Sequence, residues 1–153
     1  SGTSGSGSAS LSMIQCYNTT SVDLNVTTPA ALSLGAEDKK DAGFTHSNVT
    51  NNSRIYVTAT GWYNLSYNVI LTNAGGNRNV RCRVRVDGST YLDRGTSYIA
   101  VANTSNDNGS IAVSVLINLT ANQYIEIMGD RAGSSGSWST EANTSHVSLT
   151  LVG

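Results

Sequence analysis

A period-two alternation of apolar and polar residues recurs in five separate stretches of this sequence. In the longest, Tyr63, Leu65 and Tyr67 are separated by the polar residues Asn64 and Ser66, and the pattern continues to residue 71. Successive side chains of a β-strand point to opposite faces of the sheet, so this period predicts strands with one face on a core. The other stretches cover residues 80–86, 111–117, 124–128 and 147–151, and shorter strands are expected at 13–17, 31–34, 55–59 and 98–102.

Turn-forming residues and an unusual composition favour an all-β fold. Residues 73–77, 87–88, 106–109 and 133–136 are rich in Gly, Asn, Asp or Ser, which suit tight turns. Charged residues make up only 12% of the chain, and Ser, Thr, Asn and Gly take their place. That composition disfavours long helices. Eight or nine short strands without a helical segment predict an antiparallel β-sandwich or barrel.

The domain organisation is simple. Residues 1–12 form a Gly/Ser-rich segment with almost nothing to bury, and we expect a flexible arm there. Residues 13–153 suffice for a single domain with one core. The net charge is −1, so no nucleic-acid partner is expected. No apolar run approaches the roughly 20 residues that span a bilayer, so membrane insertion is not expected either.

The two cysteines, Cys16 and Cys82, say little about the compartment in which the chain works. Cys82 occupies an apolar position of its alternating stretch, which indicates a small buried hydrophobe. The sequence leaves a Cys16–Cys82 disulfide open, and a core of this size does not need one for stability.

Four segments follow one another in the order of a known jelly-roll family. They are residues 60–67, 80–88, 111–127 and 145–152, within a match that covers residues 30–153. Gly61 and Tyr63 open a long central strand, and Asp87 and Gly88 end the next one. This arrangement resembles the tumour-necrosis-factor and complement globular-head superfamily, although residues 122–123 are Asn-Gln where that family usually has Gly-Asp. The resemblance implies a jelly-roll β-sandwich that assembles as a homotrimer, with the C-terminal strand near the threefold axis.

Four apolar residues break the polar side of the alternation: Trp62, Ile70, Leu116 and Val152. A monomer would leave such side chains in water, whereas an interface between subunits would bury them. We therefore predict that these four residues form the trimer interface. The alternative is that both faces of their sheet are covered within one monomer.

The sequence offers little for catalysis. Of its two histidines, His146 begins the last strand, and His46 follows Phe44 in a loop without a recognisable Ser or Asp partner. No nucleophile-elbow, phosphate-loop, H-E-x-x-H or C-x-x-C motif is present. We expect a protein that is not an enzyme and has no catalytic residues.

An acidic loop is the best candidate for a metal site. It contains Glu37, Asp38 and Asp41, and a separate Asp107 lies among asparagines. Calcium takes six to eight oxygen ligands, which such loops can supply. Two lysines interrupt the acidic loop, and neither stretch has the spacing of a known calcium loop. We expect a solvated polar loop, no bound metal and no cofactor.

The most distinctive feature is a ladder of three arginines, Arg81, Arg83 and Arg85. Alternate residues of a strand lie about 6.8 Å apart on one face, so the three charges repel unless carbonyl or acidic groups lie opposite. The acidic residues expected there are Asp93, Glu126 and Asp130. Two interpretations stay open, a surface for an acidic partner or glycan and a solvated outer face with cross-strand pairs.

Aromatic residues outside the alternating stretches suggest stacking surfaces for a ligand. Trp138 lies within Gly136-Ser137-Trp138-Ser139 and is expected at an exposed loop tip, and Tyr91 lies in a second loop. An exposed aromatic at a loop tip is unusual without a partner. Together with the arginine ladder, these two residues define the expected ligand or partner surface.

Three function classes fit these observations. The first is a non-enzymatic structural protein on the surface of a virus particle, most like a bacteriophage: a trimeric capsid decoration or fibre head that contacts other virion proteins. The second is an adhesion head that binds a host surface glycan or receptor. The third is a secreted cytokine-like or complement-like ligand. We rank it last because the sequence has no collagenous stalk and no clear disulfide pattern. We expect the first, with the chain on the virion surface.

Overall fold

A computed structural model describes residues 11–73, 78–101, 108–132 and 138–153. Most of the predicted arm, residues 1–10, lies outside this description, as do Asp107 and the predicted turn at 133–136. The described residues form twelve strands: β1 (Met13–Tyr17), β2 (Ala30–Ala31), β3 (Ala36–Lys40), β4 (Phe44–Thr45), β5 (Ile55–Val57), β6 (Gly61–Asn73), β7 (Arg78–Val86), β8 (Thr90–Val101), β9 (Asn108–Leu119), β10 (Tyr124–Arg131), β11 (Trp138–Thr140) and β12 (His146–Leu151). All five alternating stretches lie in strands, which confirms those predictions.

The strands form two antiparallel sheets that pack as a sandwich. The first sheet has the order β9-β6-β12-β1-β3, with β11 also beside β6. The second has the order β4-β5-β10-β7-β8, with β2 also beside β10. This confirms the predicted all-β, antiparallel sandwich. The part of the chain that the structure describes contains no helix that could cross a membrane.

The core lies between the sheets and collects the apolar side of each alternation. Leu65 and Val147 of the first sheet and Val84 and Ile125 of the second are fully buried. Burying each such side chain stabilises the fold by roughly 1.5–3 kcal/mol. The even-numbered residues of β6 and β10 and the odd-numbered residues of β7 therefore point away from this core.

Both cysteines are buried and free, so the disulfide left open by the sequence is absent here. Cys82 is buried in the second sheet, as its position in the alternation predicts. Burial raises the pKa of Cys82 and of Cys16 to about 12. Both side chains are therefore neutral thiols that serve the core as small hydrophobes.

The predicted acidic loop is an edge strand. Residues 36–40 form β3, which pairs with β1 from Ile14 opposite Lys40 to Tyr17 opposite Ala36. The loop prediction was wrong because most side chains of this strand are exposed, so no apolar alternation marks it. Charged side chains on an edge strand also hinder its pairing with another molecule.

The short predicted strands have different bounds from those expected. In place of the strand expected at 31–34, the structure has the two-residue strand β2. Leu32 and Leu34 follow it and are buried. The strand expected at 98–102 begins at Thr90 as β8, so Tyr91, which was expected in a loop, lies in this strand opposite Arg85. The strand β11 at Trp138 was not predicted.

Candidate functional site

The arginine ladder lies on the outer face of the second sheet. The register places Arg81 opposite Asp130 and Arg85 opposite Glu126 on the neighbouring strand β10. Arg83 lies between them and faces a methionine. Both carboxylates are buried although they point away from the core, because the arginine side chains cover them.

The first half of the ladder is an Arg81–Asp130–Arg83 group. Asp130 accepts two hydrogen bonds from Arg81, from Nε at 2.9 Å and from Nη2 at 2.6 Å. Nη2 of Arg83 lies 3.6 Å from the same carboxylate, beyond hydrogen-bond distance. The paired Asp130 raises the pKa of Arg81, so this guanidinium stays charged.

The second half is built around Glu126. Its carboxylate accepts hydrogen bonds from Nη2 of Arg85 at 2.9 Å and from the hydroxyl of Ser53 at 2.6 Å. Nε of Arg54 lies 3.9 Å from the same carboxylate. Burial opposes the charge on Arg85, but its hydrogen bond to Glu126, the attraction of that carboxylate and the contact with Tyr91 together outweigh burial and raise the pKa. Four guanidinium groups thus share two carboxylates, which leaves an excess of positive charge on this face.

Tyrosine rings hold the arginines in place. The guanidinium carbon of Arg83 lies 3.8 Å from the centre of the Tyr91 ring, and that of Arg54 lies 4.6 Å from the Tyr124 ring. The contact of Arg83, the more buried of the two arginines, contributes about 0.5–2 kcal/mol. We call this surface the Arg/Tyr face, formed by Arg54, Tyr56, Arg81, Arg83, Arg85, Tyr91, Tyr98 and Tyr124.

A bulge in β8 interrupts the pairing beside Arg83. Cys82 of β7 pairs with Ser97 and Val84 pairs with Leu92. Residues 93–96 therefore all lie opposite the single residue Arg83. A bulge bends its strand and redirects the side chains it carries. This irregularity gives the otherwise flat Arg/Tyr face a depression.

The depression is a concavity of about 330 Å³ lined by Arg81, Arg83, Asp93, Thr96 and Tyr98. Tyr98 is 61% exposed and is therefore the accessible aromatic ring of the group. The sequence pointed to the arginines and Tyr91 but missed Tyr98 and Thr96. The parity of Tyr98, which lies opposite Arg81, would have placed it on this face once the pairing of β7 with β8 was known.

Trp138 does not belong to this surface, and the expectation of an exposed loop tip was wrong. The residue begins β11, pairs with Asn73 of β6 and is only 1% exposed. Its ring packs in the core near Gly109. Neither the Gly/Ser-rich sequence before it nor the short strand carries an alternation that would have indicated burial.

A second surface lies on the outer face of the first sheet. Trp62, Leu116 and Val152 are 50%, 60% and 51% exposed. Val152 donates its backbone N–H to the carbonyl of Trp62, and Leu116 lies opposite Asn64, one pleat further along. We call these three residues the apolar patch. Ile70 is half-buried beside the loop at Glu141 and lies about 27 Å further along β6, so it is not part of this patch.

A groove of about 390 Å³ runs along the edge of the sandwich where β8 meets β9. Leu92, Val115 and Ile117 contribute apolar walls, and Leu116 reaches its rim. The apolar patch and this groove are therefore adjacent and share Leu116.

His46 is buried and fully engaged. Its Nδ1 lies 2.9 Å from a carboxylate oxygen of Glu37, and its Nε2 lies 2.9 Å from the carbonyl of Asn52. Both partners are acceptors, so both bonds form only when each ring nitrogen carries hydrogen. Burial would raise the pKa of Glu37, but the hydrogen bonds from His46 and Lys40 outweigh it, and the pKa is lowered.

The other two acids of the predicted acidic loop also have hydrogen-bond partners. Asp38 accepts a hydrogen bond from the amide of Gln15 at 2.8 Å, and Asp41 accepts one from the backbone N–H of Met13 at 2.9 Å. His146 lines a separate shallow concavity of about 260 Å³ beside Gln15 and Tyr17. Within the described residues, no three His, Cys, Asp or Glu side chains come together in a way that could hold a metal ion.

No protein-family model and no curated protein matches this sequence. Among solved structures, the fold is similar to a structure of the Eiger TNF from S. frugiperda, with a TM-score of 0.66. The similarity covers 94% of this chain and 93% of that chain at 10% sequence identity. At that identity it shows the fold alone, which is a TNF-like jelly roll.

Proposed function

We propose that this chain is a non-enzymatic head domain that assembles as a homotrimer and presents the Arg/Tyr face to a partner on the surface of a virus particle. The observation that carries the proposal is the position of two unlike surfaces on opposite sides of one sandwich. The apolar patch lies on the outer face of the first sheet, and the Arg/Tyr face lies on the outer face of the second. Burial of the first against sister subunits leaves Arg81, Arg83 and Tyr98 of the second free, while Tyr91 and Asp93 lie at the border of the groove between β8 and β9.

The apolar patch supports the trimer. Trp62, Leu116 and Val152 are neighbours on a surface whose other positions are mostly polar, and each leaves half or more of its area in water. Aromatic and aliphatic side chains of this kind dominate the buried centres of protein interfaces. The TNF-like fold adds to this argument, because the family that the sequence resembles is characteristically trimeric.

The groove between β8 and β9 provides the complementary surface. In a threefold ring each interface joins two different patches, one from each neighbour. We propose that the apolar patch of one subunit packs against the groove of the next, where Leu92, Val115 and Ile117 offer apolar walls. Leu116 belongs to both surfaces, so three such contacts form a continuous apolar belt around the axis.

The virion setting is supported by composition. Only 12% of the residues are charged, and Ser, Thr, Asn and Gly replace them, as expected for a protein held by extensive neutral contacts with other virion proteins. The absence of catalysis is supported by His46, whose two ring nitrogens are both engaged within the fold. A secreted ligand is the second candidate, favoured by the likeness to the Eiger TNF structure.

Sedimentation velocity tests the trimer. We expect the wild-type chain to sediment as a trimer and Trp62→Arg to sediment as a folded monomer. Val49→Arg is the matched control, because Val49 is 87% exposed and lies outside the apolar patch. A wild-type monomer in dilute buffer, or a Trp62→Arg variant that stays trimeric, would contradict the proposal.

Cryo-electron microscopy of purified virus particles tests the setting. We expect density for trimers of this fold projecting from the particle, labelled by an antibody against the chain. Particles without the chain, together with free trimer in the surrounding medium, would instead support the secreted ligand.

A further inference from the structure

We propose that the concavity beside Arg83 binds a carboxylate-bearing sugar, with Arg83 contacting the carboxylate and Tyr98 stacking against the sugar ring. The inference rests on the proposed function only in that Arg83 and Tyr98 stay exposed in the trimer. It narrows the partner of that face from an unspecified acidic surface to one class of saccharide.

Arg83 is the arginine of the ladder with donors to spare. Asp130 is committed to Arg81 by two hydrogen bonds, whereas Arg83 approaches it only to 3.6 Å. In the described part of the chain, the side chain of Arg83 makes no hydrogen bond, whereas those of Arg81 and Arg85 do. A guanidinium has five N–H donors in a planar fork, which suits a carboxylate. Tyr91 fixes the plane of that fork from one side.

The other residues that line the concavity supply hydrogen-bond acceptors and an aromatic ring, both of which suit a sugar. The hydroxyl of Thr96 donates to the carbonyl of Leu92 at 3.2 Å, so its oxygen is left to accept from a ligand hydroxyl. Asp93 is exposed and offers a second acceptor. The ring of Tyr98 presents an apolar face, against which the C–H groups of a pyranose can pack.

The same walls argue against an acidic peptide. Among the described residues, none with an aliphatic side chain lines the concavity, so these residues offer nothing to the hydrophobic side chains that usually anchor peptides. A second carboxylate on the ligand would meet the like charge of Asp93. A ligand with a single carboxylate and several hydroxyls matches a guanidinium with unused donors next to two acceptors.

Ligand-observed saturation-transfer NMR tests this proposal with a matched pair of probes. Methyl β-glucuronide and methyl β-glucoside differ only in a carboxylate that replaces a hydroxymethyl group. We expect the glucuronide to bind about tenfold more tightly, the size of one charge-assisted contact. Arg83→Gln should abolish this preference, and Tyr98→Ala should weaken both probes. An aspartate-rich peptide serves as the competing class of ligand.

The controls separate the site from general charge effects and from assembly. Arg131→Gln removes the same charge outside the concavity and should leave the preference for glucuronide intact. Trp62→Arg, the variant designed to be monomeric, should bind glucuronide like the wild type, so a failed trimer and a failed site give different results. Unchanged binding in Arg83→Gln, or equal binding of glucuronide and glucoside by the wild type, would overturn the inference. Preference for the peptide would overturn it as well.

Discussion

The hydroxyl of Tyr67 crosses the core of the sandwich and donates a hydrogen bond to the carbonyl of Gly95 at 2.7 Å. Tyr67 belongs to the first sheet, and Gly95 lies in the bulge of β8 in the second. The same hydroxyl lies 3.2 Å from the carbonyl of Cys82. Burial raises the pKa of Tyr67, so the hydroxyl stays protonated and remains a donor. The bulge beside Arg83 is therefore held from inside the core.

Tyr67→Phe should lower the free energy of unfolding by about 1–3 kcal/mol, because it leaves the buried carbonyl of Gly95 without its partner. Urea denaturation measures this change. Tyr98→Phe, at an exposed position, should stay within about 0.5 kcal/mol of the wild type. A Tyr67→Phe protein as stable as the wild type would show that the hydrogen bond contributes little to the fold.

Gly95 is required by space rather than by backbone conformation. A Cβ at this position would lie 2.7 Å from Cγ2 of Val84, a fully buried core residue. Gly95→Ala should cost about 1–3 kcal/mol through overpacking. In a Val84→Ala background, which opens room for the new methyl group, the same substitution should cost much less. A double-mutant cycle by urea denaturation measures the coupling, and strictly additive effects would argue against this close contact.

The sequence predicted best the parts of the fold that follow one repeating physical rule. The alternations around Leu65 and Val84 placed their strands and their buried faces correctly, because each strand has one side on the core and one in solvent. The same parity placed Arg81 opposite an acid, and Asp130 was among the acids expected there. Cross-strand pairs on an outer face are therefore accessible to sequence reasoning when the strands are long.

The sequence failed where tertiary contacts decide the outcome. Trp138 stands after Gly and Ser, and only its pairing with β6 buries it. The strand β3 has no apolar alternation because it lies at an exposed edge. The bulge that shapes the concavity depends on the register between β7 and β8, which no local pattern encodes, so Thr96 and Tyr98 could not be assigned to it.

The buried thiols should be unreactive in the native protein. The pKa of both Cys16 and Cys82 is raised to about 12 by burial, so almost no thiolate exists at pH 8, and neither sulfur is accessible. Mass spectrometry after iodoacetamide treatment should find both unmodified in buffer and both alkylated in urea. Alkylation of the folded protein at either position would contradict this packing.

The pairing of Glu37 with His46 should support the fold at neutral pH and fade in acid. The pKa of Glu37 is lowered in the folded chain from its ordinary value of 4.5. A lowered folded-state pKa stabilises the fold above the ordinary value, and this contribution is lost as the pH falls through the lowered value. Glu37→Gln, which keeps an acceptor but removes the charge, should melt at a lower temperature than the wild type at pH 7. The difference should shrink toward pH 3, and a difference that is independent of pH would exclude this pairing.

The two partners of the arginine ladder should respond unequally to substitution. Asp130→Asn leaves the partly buried guanidinium of Arg81 without its charged partner and should cost about 3–5 kcal/mol, as expected when one member of a buried ion pair is removed. Arg83→Gln removes a side chain that makes no hydrogen bond in the described part of the chain, so its stacking on Tyr91 and its 3.6 Å ion pair with Asp130 are lost. We expect a cost of about 1 kcal/mol for that change. Urea denaturation of both variants measures the contrast. If Arg83→Gln were as destabilising as Asp130→Asn, Arg83 would be a structural partner of Asp130, and its guanidinium would not be free to contact a ligand.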